Sequence, residues 1–253
     1  MFMRNSNART MLGCEPPVTH RQVNMPESSS IHIPVGDGEF IAASQYLPPR
    51  PRGLILFAHG SGSSRLSPRN QFVAEVLQEA GLGTFLFDLL TVKEELLDRQ
   101  TAEYRFDIAL LANRLVTATG WVRRQAGLES LPLGYFGAST GAAAALVAAA
   151  ALPTEVTAIV SRGGRPDLAG EQLGAVRAPT LLIVGGADPQ VITLNRRAML
   201  SLRAENDLVI VPGATHLFEE PGALDTVARL ARDWFVRQFD ASEARRTSLA
   251  RSM

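Results

Sequence analysis

A serine flanked by glycines is the residue in this sequence best suited to covalent chemistry. Residues 137–141 read Gly-Ala-Ser-Thr-Gly, after an apolar run and before an alanine-rich stretch. Between a strand and a helix, the pattern Gly-x-Ser-x-Gly places a serine on a sharp turn with its hydroxyl exposed above the sheet. Glycine is needed at both ends because side chains there would collide with neighbouring backbone. Ser139 is therefore the candidate nucleophile, although such a pattern also arises by chance in a chain rich in glycine and alanine.

A serine nucleophile needs a base, and the chain has four histidines to choose from. His20 lies in a polar N-terminal stretch, and His32 alternates with apolar residues in a predicted hairpin. His59 ends an apolar strand and is interpreted as a hydrogen-bonding residue of the loop that follows. His216 follows the last predicted strand, at the edge where open α/β sheets place their sites. His216 is therefore the candidate base, the alternative being an ordinary surface histidine.

The acid that orients the base is expected after the preceding strand. Asp188 follows an apolar run and two glycines, which allow the loop to turn sharply. The chain order serine, aspartate, histidine is one of the known arrangements of this catalytic triad. The alternatives for Asp188 are an N-cap or a turn residue with Pro189, and Asp167 is a second candidate acid. We favour Asp188.

Acyl transfer also needs two N–H groups that stabilise the negatively charged oxygen, the oxyanion hole. Thr140, directly after the nucleophile, supplies one backbone N–H. The loop after the first central strand, residues 59–64, reads His-Gly-Ser-Gly-Ser-Ser, and Ser61 is predicted to supply the other. The alternative is a flexible turn without a catalytic role.

Composition narrows the class of protein. The 253 residues carry 25 basic and 25 acidic side chains, so the zero net charge gives no electrostatic footprint for nucleic acid. Lys93 is the only lysine, which excludes a P-loop, and the single cysteine, Cys14, excludes a disulfide framework and a cysteine-based zinc cluster. The longest apolar run, Ala142 to Leu152, is too short to cross a membrane. The sequence therefore predicts a cytoplasmic protein that binds neither nucleic acid nor membrane and needs no cofactor or metal.

The elements that must hold these residues alternate between short apolar strands and amphipathic helices. A hairpin is predicted between Ile31 and Leu47, followed by strands at 53–58, 84–89, 133–138, 156–160, 179–184 and 208–211. Helices are predicted at 70–80, 106–125, 140–152, 195–202 and 224–239. This alternation indicates an α/β fold, with a mostly parallel twisted sheet and helices on both faces. One domain, residues 26–240, is expected between an N-terminal arm, 1–25, and a C-terminal tail, 241–253.

The chain resembles the α/β-hydrolase superfamily over about Ile31 to Phe239. The resemblance is carried by the motifs Phe-Ala-His-Gly at 57–60, Gly-x-Ser-x-Gly at 137–141, Gly-Ala-Asp at 186–188 and Ala-Thr-His at 214–216. It is most similar to the small dienelactone-hydrolase-like branch, which has no lid. Dienelactone hydrolases carry cysteine where this chain has Ser139. The superfamily's motifs identify the fold and the triad, but say little about the substrate.

The expected activity is hydrolysis of short carboxylic esters, lactones or thioesters through an acyl-serine intermediate. Amide hydrolysis or acyl transfer would use the same residues, and a non-catalytic binding module on this fold is the alternative from another class. Ser161 to Ala178 is too short for a large cap domain. The charged segment Thr91 to Arg105 is expected to cover a small, partly polar cleft. The sequence does not indicate an oligomeric state.

Overall fold

The computed structural model describes residues 31–251, so the predicted N-terminal arm, 1–25, lies outside the described residues. The strands, in chain order, are β1 (Ile31–Gly36), β2 (Glu39–Tyr46), β3 (Leu54–Ala58), β4 (Gly83–Phe87), β5 (Leu133–Ala138), β6 (Val156–Arg162), β7 (Thr180–Gly185) and β8 (Asn206–Val211). The α-helices are α1 (Pro68–Glu79), α2 (Val92–Thr101), α3 (Ile108–Arg123), α4 (Thr140–Ala151), α5 (Pro189–Ser201) and α6 (Ala223–Arg251), and a 3₁₀ helix spans Pro166–Ala175.

All eight strands belong to one sheet, in the order β1-β2-β4-β3-β5-β6-β7-β8. The hairpin β1–β2 lies at one edge, where β2 pairs antiparallel with β4. From β4 to β8 every neighbouring pair is parallel. The carboxyl ends of these strands therefore meet at one edge of the sheet, where an open α/β fold builds its site. This architecture confirms the predicted fold class.

The core lies on both faces of the sheet. Strands β3, β4, β5 and β7 are buried along their whole length, as their uninterrupted apolar runs predict. Helices α1 and α6 pack on one face, and α3, α4, α5 and the 3₁₀ helix pack on the other. Helix α4 is almost entirely alanine on its buried sides, so its backbone can approach the sheet closely beneath the nucleophile turn.

Three helices differ most from the sequence prediction. Helix α2 lies in the charged segment 91–105, where no helix was predicted. Helix α5 begins at Pro189, six residues before its predicted start at Asn195. Helix α6 continues to Arg251, so that residues 241–251, assigned above to a C-terminal tail, extend this helix.

The segment between β6 and β7 contains only the 3₁₀ helix, which agrees with the expectation that the fold has no large cap domain. No helix within residues 31–251 is both long and apolar enough to cross a membrane.

Candidate active site

Ser139 occupies the sharp turn between β5 and α4. Its backbone has φ 51° and ψ −120°, a conformation that a non-glycine residue adopts only when its surroundings enforce it. A Cβ on Gly137 would lie 2.5 Å from Ala142 Cα, and one on Gly141 would lie 2.2 Å from Ala58 O. Both glycines are therefore required by close backbone contacts, as the motif predicts.

The loop after β6 holds the nucleophile from the neighbouring strand. The Ser139 N–H donates to Arg162 O at 3.2 Å, and the Arg165 N–H donates to Ser139 O at 3.1 Å. These two bonds fix the peptide groups on both sides of the Ser139 Cα. The strained turn is thus stabilised by main-chain contacts that a side-chain pattern does not reveal.

His216 and Asp188 meet at the same edge of the sheet. His216 Nδ1 lies 2.8 Å from Asp188 Oδ2, so the carboxylate can accept a hydrogen bond from Nδ1–H and leave Nε2 as the basic nitrogen. The other carboxylate oxygen, Oδ1, accepts from the Val191 N–H at 3.3 Å and caps helix α5. The two interpretations of Asp188 considered above are therefore compatible, because each uses a different oxygen.

The second candidate acid, Asp167, is engaged elsewhere. Its two oxygens accept hydrogen bonds from Arg165 Nε and Nη2 at 2.9 and 2.8 Å. The imidazole of His216 therefore has Asp188, and not Asp167, as its carboxylate partner.

Ser139 and His216 line one open cleft of about 450 Å³, together with Asp188, Arg165, Ala187 and the first turns of α5. No hydrogen bond joins the Ser139 hydroxyl to the imidazole among the described contacts. Such bonds are often long without substrate and tighten when the substrate binds. The segment 91–105 contributes no residue to the lining of this cleft, contrary to expectation. The cleft is instead bordered by the loop after β6 and by α5.

The two residues predicted to supply the oxyanion N–H groups lie beside each other, in a second region that shares no lining residue with this cleft. Ser61 Oγ is 3.0 Å from Thr140 Oγ1, which places the loop after β3 against the start of α4. A Cβ on Gly60 would lie 3.1 Å from Ser139 Cβ, so this loop reaches the nucleophile closely because position 60 has no side chain. The cavity here measures only about 10 Å³ and is bordered by Asp98 and Arg105 of the segment 91–105.

His59 has the structural role expected from the sequence. Its Nε2 accepts from the Leu89 N–H at 2.9 Å, and its Nδ1 lies 3.0 Å from Gly60 O. Because one ring nitrogen faces a donor and the other an acceptor, the neutral ring fits this position. Burial lowers the pKa of His59, which opposes protonation and outweighs the raising effect of the Gly60 carbonyl.

Several residues at the site were not identified from the sequence. Arg165 and the α5 residues Gln190, Val191 and Leu194 line the cleft. Only their position in the sequence could have identified them, because they follow the carboxyl ends of β6 and β7. Arg162 is also buried at the end of β6. Burial, with the nearby charge of Arg69, lowers its pKa to about 10.

No group of three or more metal-ligating side chains is found in the part of the chain that the structure describes. The chemistry available at the cleft is that of a serine hydroxyl, an imidazole and a carboxylate. These groups suit covalent acyl transfer.

The strand order and the helix packing are those of the α/β-hydrolase fold. Among solved structures, dienelactone hydrolase from Anabaena variabilis is 55% identical, with a TM-score of 0.82 over 84% of this chain and 98% of that one. The chain belongs to the dienelactone-hydrolase family. Est1E from Butyrivibrio proteoclasticus is 16% identical, with a TM-score of 0.69 over 84% of this chain and all of that one, and shows the fold alone.

Two Mycobacterium tuberculosis proteins, from strains H37Rv and CDC 1551, are 60% identical to the chain over 196 residues. Both are provisionally named phosphoribosyl transferase. The alignment covers 78% of this chain but only 43% of each relative, so the chain spans less than half the length of these curated relatives. No protein-family model matches the chain.

Proposed function

We propose that the chain is a serine hydrolase that cleaves small carboxylic esters, lactones or thioesters through an acyl-serine intermediate. The observation that carries this proposal is the arrangement around one cleft: Ser139 on its strained turn, and His216 bonded through Nδ1 to Asp188. Membership of the dienelactone-hydrolase family supports a hydrolase.

In the first step, His216 Nε2 accepts the Ser139 proton while the serine oxygen attacks the substrate carbonyl carbon. The carbonyl π electrons move to oxygen, and the N–H groups of Thr140 and Ser61 stabilise the resulting oxyanion. Asp188 holds the imidazole in the productive tautomer and stabilises its positive charge. The positive end of the α4 dipole lies at the same place, since α4 begins at Thr140.

The tetrahedral intermediate collapses when the imidazolium gives its proton to the leaving alcohol or thiol. The C–O or C–S bond of the substrate breaks, and the acyl group remains on Ser139. Water then enters the cleft, His216 removes one of its protons, and the acid is released as Ser139 is reprotonated. The chemistry consumes one water for each ester and requires no cofactor.

The dimensions of the cleft favour compact substrates. Its volume of about 450 Å³ is at the lower end for small-molecule sites, and Arg165, Gln190 and Asp188 make much of its lining polar. Apolar contact is offered chiefly by Val191 and Leu194 on α5. A short acyl chain fits such a site, whereas a long one projects into water.

Amide hydrolysis and acyl transfer to an alcohol use the same acyl-enzyme and remain the alternative reactions. The phosphoribosyl transferase name belongs to relatives more than twice as long as the matched segment, and we do not transfer it to this chain. The residues gathered at the cleft support chemistry at a carbonyl carbon rather than transfer of a phosphoribosyl group.

Labelling with a fluorophosphonate probe, combined with a panel of esters varied in acyl and alcohol size, tests the proposal. We expect the chain to be labelled at Ser139 and to hydrolyse the smaller esters. Ser139→Ala should abolish both labelling and turnover. A chain that resists the probe and hydrolyses no ester would instead be the non-catalytic binding module.

A further inference from the structure

The two residues proposed to donate the oxyanion N–H groups, Ser61 and Thr140, are linked through their side chains. The Ser61 hydroxyl donates to Arg105 O at 3.3 Å and lies 3.0 Å from Thr140 Oγ1. Because Ser61 has one hydroxyl proton and gives it to Arg105 O, the Thr140 hydroxyl must be the donor to Ser61. The chain of bonds therefore runs from Thr140 to Ser61 and ends on the Arg105 carbonyl.

That carbonyl is held in place by Asp98. Asp98 Oδ1 accepts from the N–H groups of Tyr104 and Arg105 at 2.8 and 2.9 Å, and Oδ2 accepts from Arg105 Nε at 2.8 Å. Arg105 Nη2 also donates to the Asp98 main-chain oxygen at 2.6 Å. A single carboxylate thus fixes both the backbone and the side chain of Arg105.

The position of Asp98 in helix α2 indicates the role of its hydrogen bonds with Tyr104 and Arg105. The apolar residues of α2, Val92, Leu96 and Leu97, are exposed, and the one buried residue of the helix is Asp98, whose side chain is 3% exposed. A helix that contributes a carboxylate instead of apolar area adds little to the hydrophobic core. Its buried contact is directed at residues 104–105, next to the oxyanion loop.

The carboxylate is suited to this role because it stays charged. Burial alone would raise the pKa of Asp98, but the hydrogen bonds from the N–H groups of Arg105 and Tyr104 and from the Arg105 guanidinium outweigh it, so the pKa is lowered. Hydrogen bonds to a charged acceptor are shorter and stronger than those between neutral groups.

We infer that Asp98 and Arg105 form a positioning pair that sets the geometry of the oxyanion hole through the hydroxyls of Ser61 and Thr140. The inference rests on the proposed function, since it assigns a purpose to the N–H groups of residues 61 and 140. These donors stabilise the transition state only if they already point at the place where the charge develops. Loss of the pair should therefore slow the chemical step while substrate binding in the open cleft persists.

The test is a double-mutant cycle on p-nitrophenyl acetate with Ser61→Ala and Asp98→Asn. Ser61→Ala removes the hydroxyl that joins the two loops and keeps the backbone N–H. We expect each single variant to lower kcat by roughly 5- to 50-fold with KM changed less than about twofold, because a donor is misplaced rather than lost. The double variant should be close to the slower single variant, since both changes break one chain of contacts.

The matched control is Arg99→Gln, which breaks an exposed ion pair with Glu95 on the same helix. It should leave kcat and KM unchanged. Thr140→Val, which removes the hydroxyl that donates to Ser61, should behave like Ser61→Ala. If Asp98→Asn does not fold, as judged by circular dichroism, Arg105→Gln replaces it in the cycle and leaves the two backbone bonds to Asp98 in place.

The inference is overturned if the Asp98 or Arg105 variant folds and retains wild-type kcat, or if its effect multiplies with that of Ser61→Ala. Those outcomes would leave the proposed esterase intact. Failure of the proposed function would look different, because the wild-type chain would then be inactive or Ser139→Ala would remain active.

Discussion

The two sides of Ser139 are built in different ways. On the side proposed to hold the oxyanion, a network of hydrogen bonds from Asp98 through Arg105 to Ser61 and Thr140 leaves a cavity of only about 10 Å³. On the other side, His216 borders a cleft of about 450 Å³. The small side suits the stabilisation of charge, which needs donors fixed in advance. The open side suits the entry of substrate and water, which needs space.

The largest expected effect comes from removing the group that both sides share. Ser139→Ala should lower kcat by roughly 10⁴- to 10⁶-fold without disturbing the fold, because a hydroxyl is lost and the backbone remains. His216→Ala should cause a loss of similar size. The losses should not multiply in the double variant, since the two residues work as one unit. Steady-state kinetics of each variant measure the loss of kcat, and a circular dichroism spectrum checks that the fold is intact.

A Ser139→Ala protein that kept more than about a tenth of the wild-type rate would place the nucleophile elsewhere. Because the oxyanion donors and the cleft remain in these variants, a small residual rate above that of water alone is expected.

The next effect separates the two roles of Asp188 on the open side. Asp188→Asn should lower kcat by roughly 10³- to 10⁴-fold, since an amide no longer fixes the productive tautomer of His216. Asparagine is as good an N-cap as aspartate, so the melting temperature should change little. Asp188→Ala should lose about as much activity and also roughly 1 kcal/mol of stability, because the cap of helix α5 disappears.

Steady-state kinetics and thermal melts of Asp188→Asn and Asp188→Ala, measured together, separate the catalytic role of Asp188 from its capping role. Equal melting temperatures for Asp188→Asn and Asp188→Ala would show that the 3.3 Å bond to the Val191 N–H does not stabilise the helix. A similar kcat for Asp188→Asn and the wild type would point to a different partner for the imidazole.

The two sides of Ser139 also differ in how much of their structure could be predicted from the sequence. The nucleophile turn was predictable because its signal is local: strand, glycine-flanked serine and helix follow one another directly. His216 and Asp188 were predictable from their order in the chain and from the sheet edge at which parallel strands end. Each of these signals depends on the backbone path of a parallel sheet, which the apolar runs indicate clearly.

Helix α2 and its contact with the oxyanion loop were missed because the apolar pattern fails there. Leu96 and Leu97 are exposed while Asp98 is buried, so the helix has no apolar stripe for a periodicity argument to detect. A local signal was nevertheless present: Thr91 and Glu94 form a capping box, with Thr91 Oγ1 accepting from the Glu94 N–H. The early start of α5 was likewise signalled by Asp188 followed by Pro189, a typical N-cap and first helical residue.

A smaller effect on kcat/KM is expected when the acyl chain of the substrate is longer than the 450 Å³ cleft can bury. On p-nitrophenyl esters, kcat/KM should be highest between acetate and butyrate and should fall by octanoate. Each methylene contributes about 0.8 kcal/mol only while it is buried, and Val191 and Leu194 offer little further apolar surface. A maximum at dodecanoate, or activation at an oil–water interface, would contradict this description of the cleft.

The variant Leu194→Ala tests whether this side chain of α5 contacts the longer acyl chains. It should lower kcat/KM for butyrate by a few-fold and leave acetate almost unchanged, since only the longer chain reaches this side chain on α5. Leu200, which is exposed and lies on the same helix away from the cleft, provides the matched control as Leu200→Ala.

The smallest expected effect concerns His59, which lines the 10 Å³ cavity, and it changes the stability of the fold rather than the rate of the reaction. His59 is buried, and burial lowers its pKa below the ordinary value of 6.5. The unfolded chain therefore takes up a proton as the pH falls below about 6.5, before the folded chain does, and stability is lost across that interval. We expect the melting temperature to decline by a few degrees between pH 7.5 and pH 5.

The change that isolates this effect is His59→Gln, with His32→Gln as control, because His32 is an exposed histidine of the first hairpin. His59→Gln should be less stable than the wild type at pH 7.5, since it loses the ring that accepts from Leu89, yet it should show a smaller decline towards pH 5. His32→Gln should decline as the wild type does. Because carboxylates in the folded and unfolded chains titrate mainly below pH 5, the interval from 7.5 to 5 isolates the histidines. A wild-type decline that persisted unchanged in His59→Gln would place the responsible proton on another group.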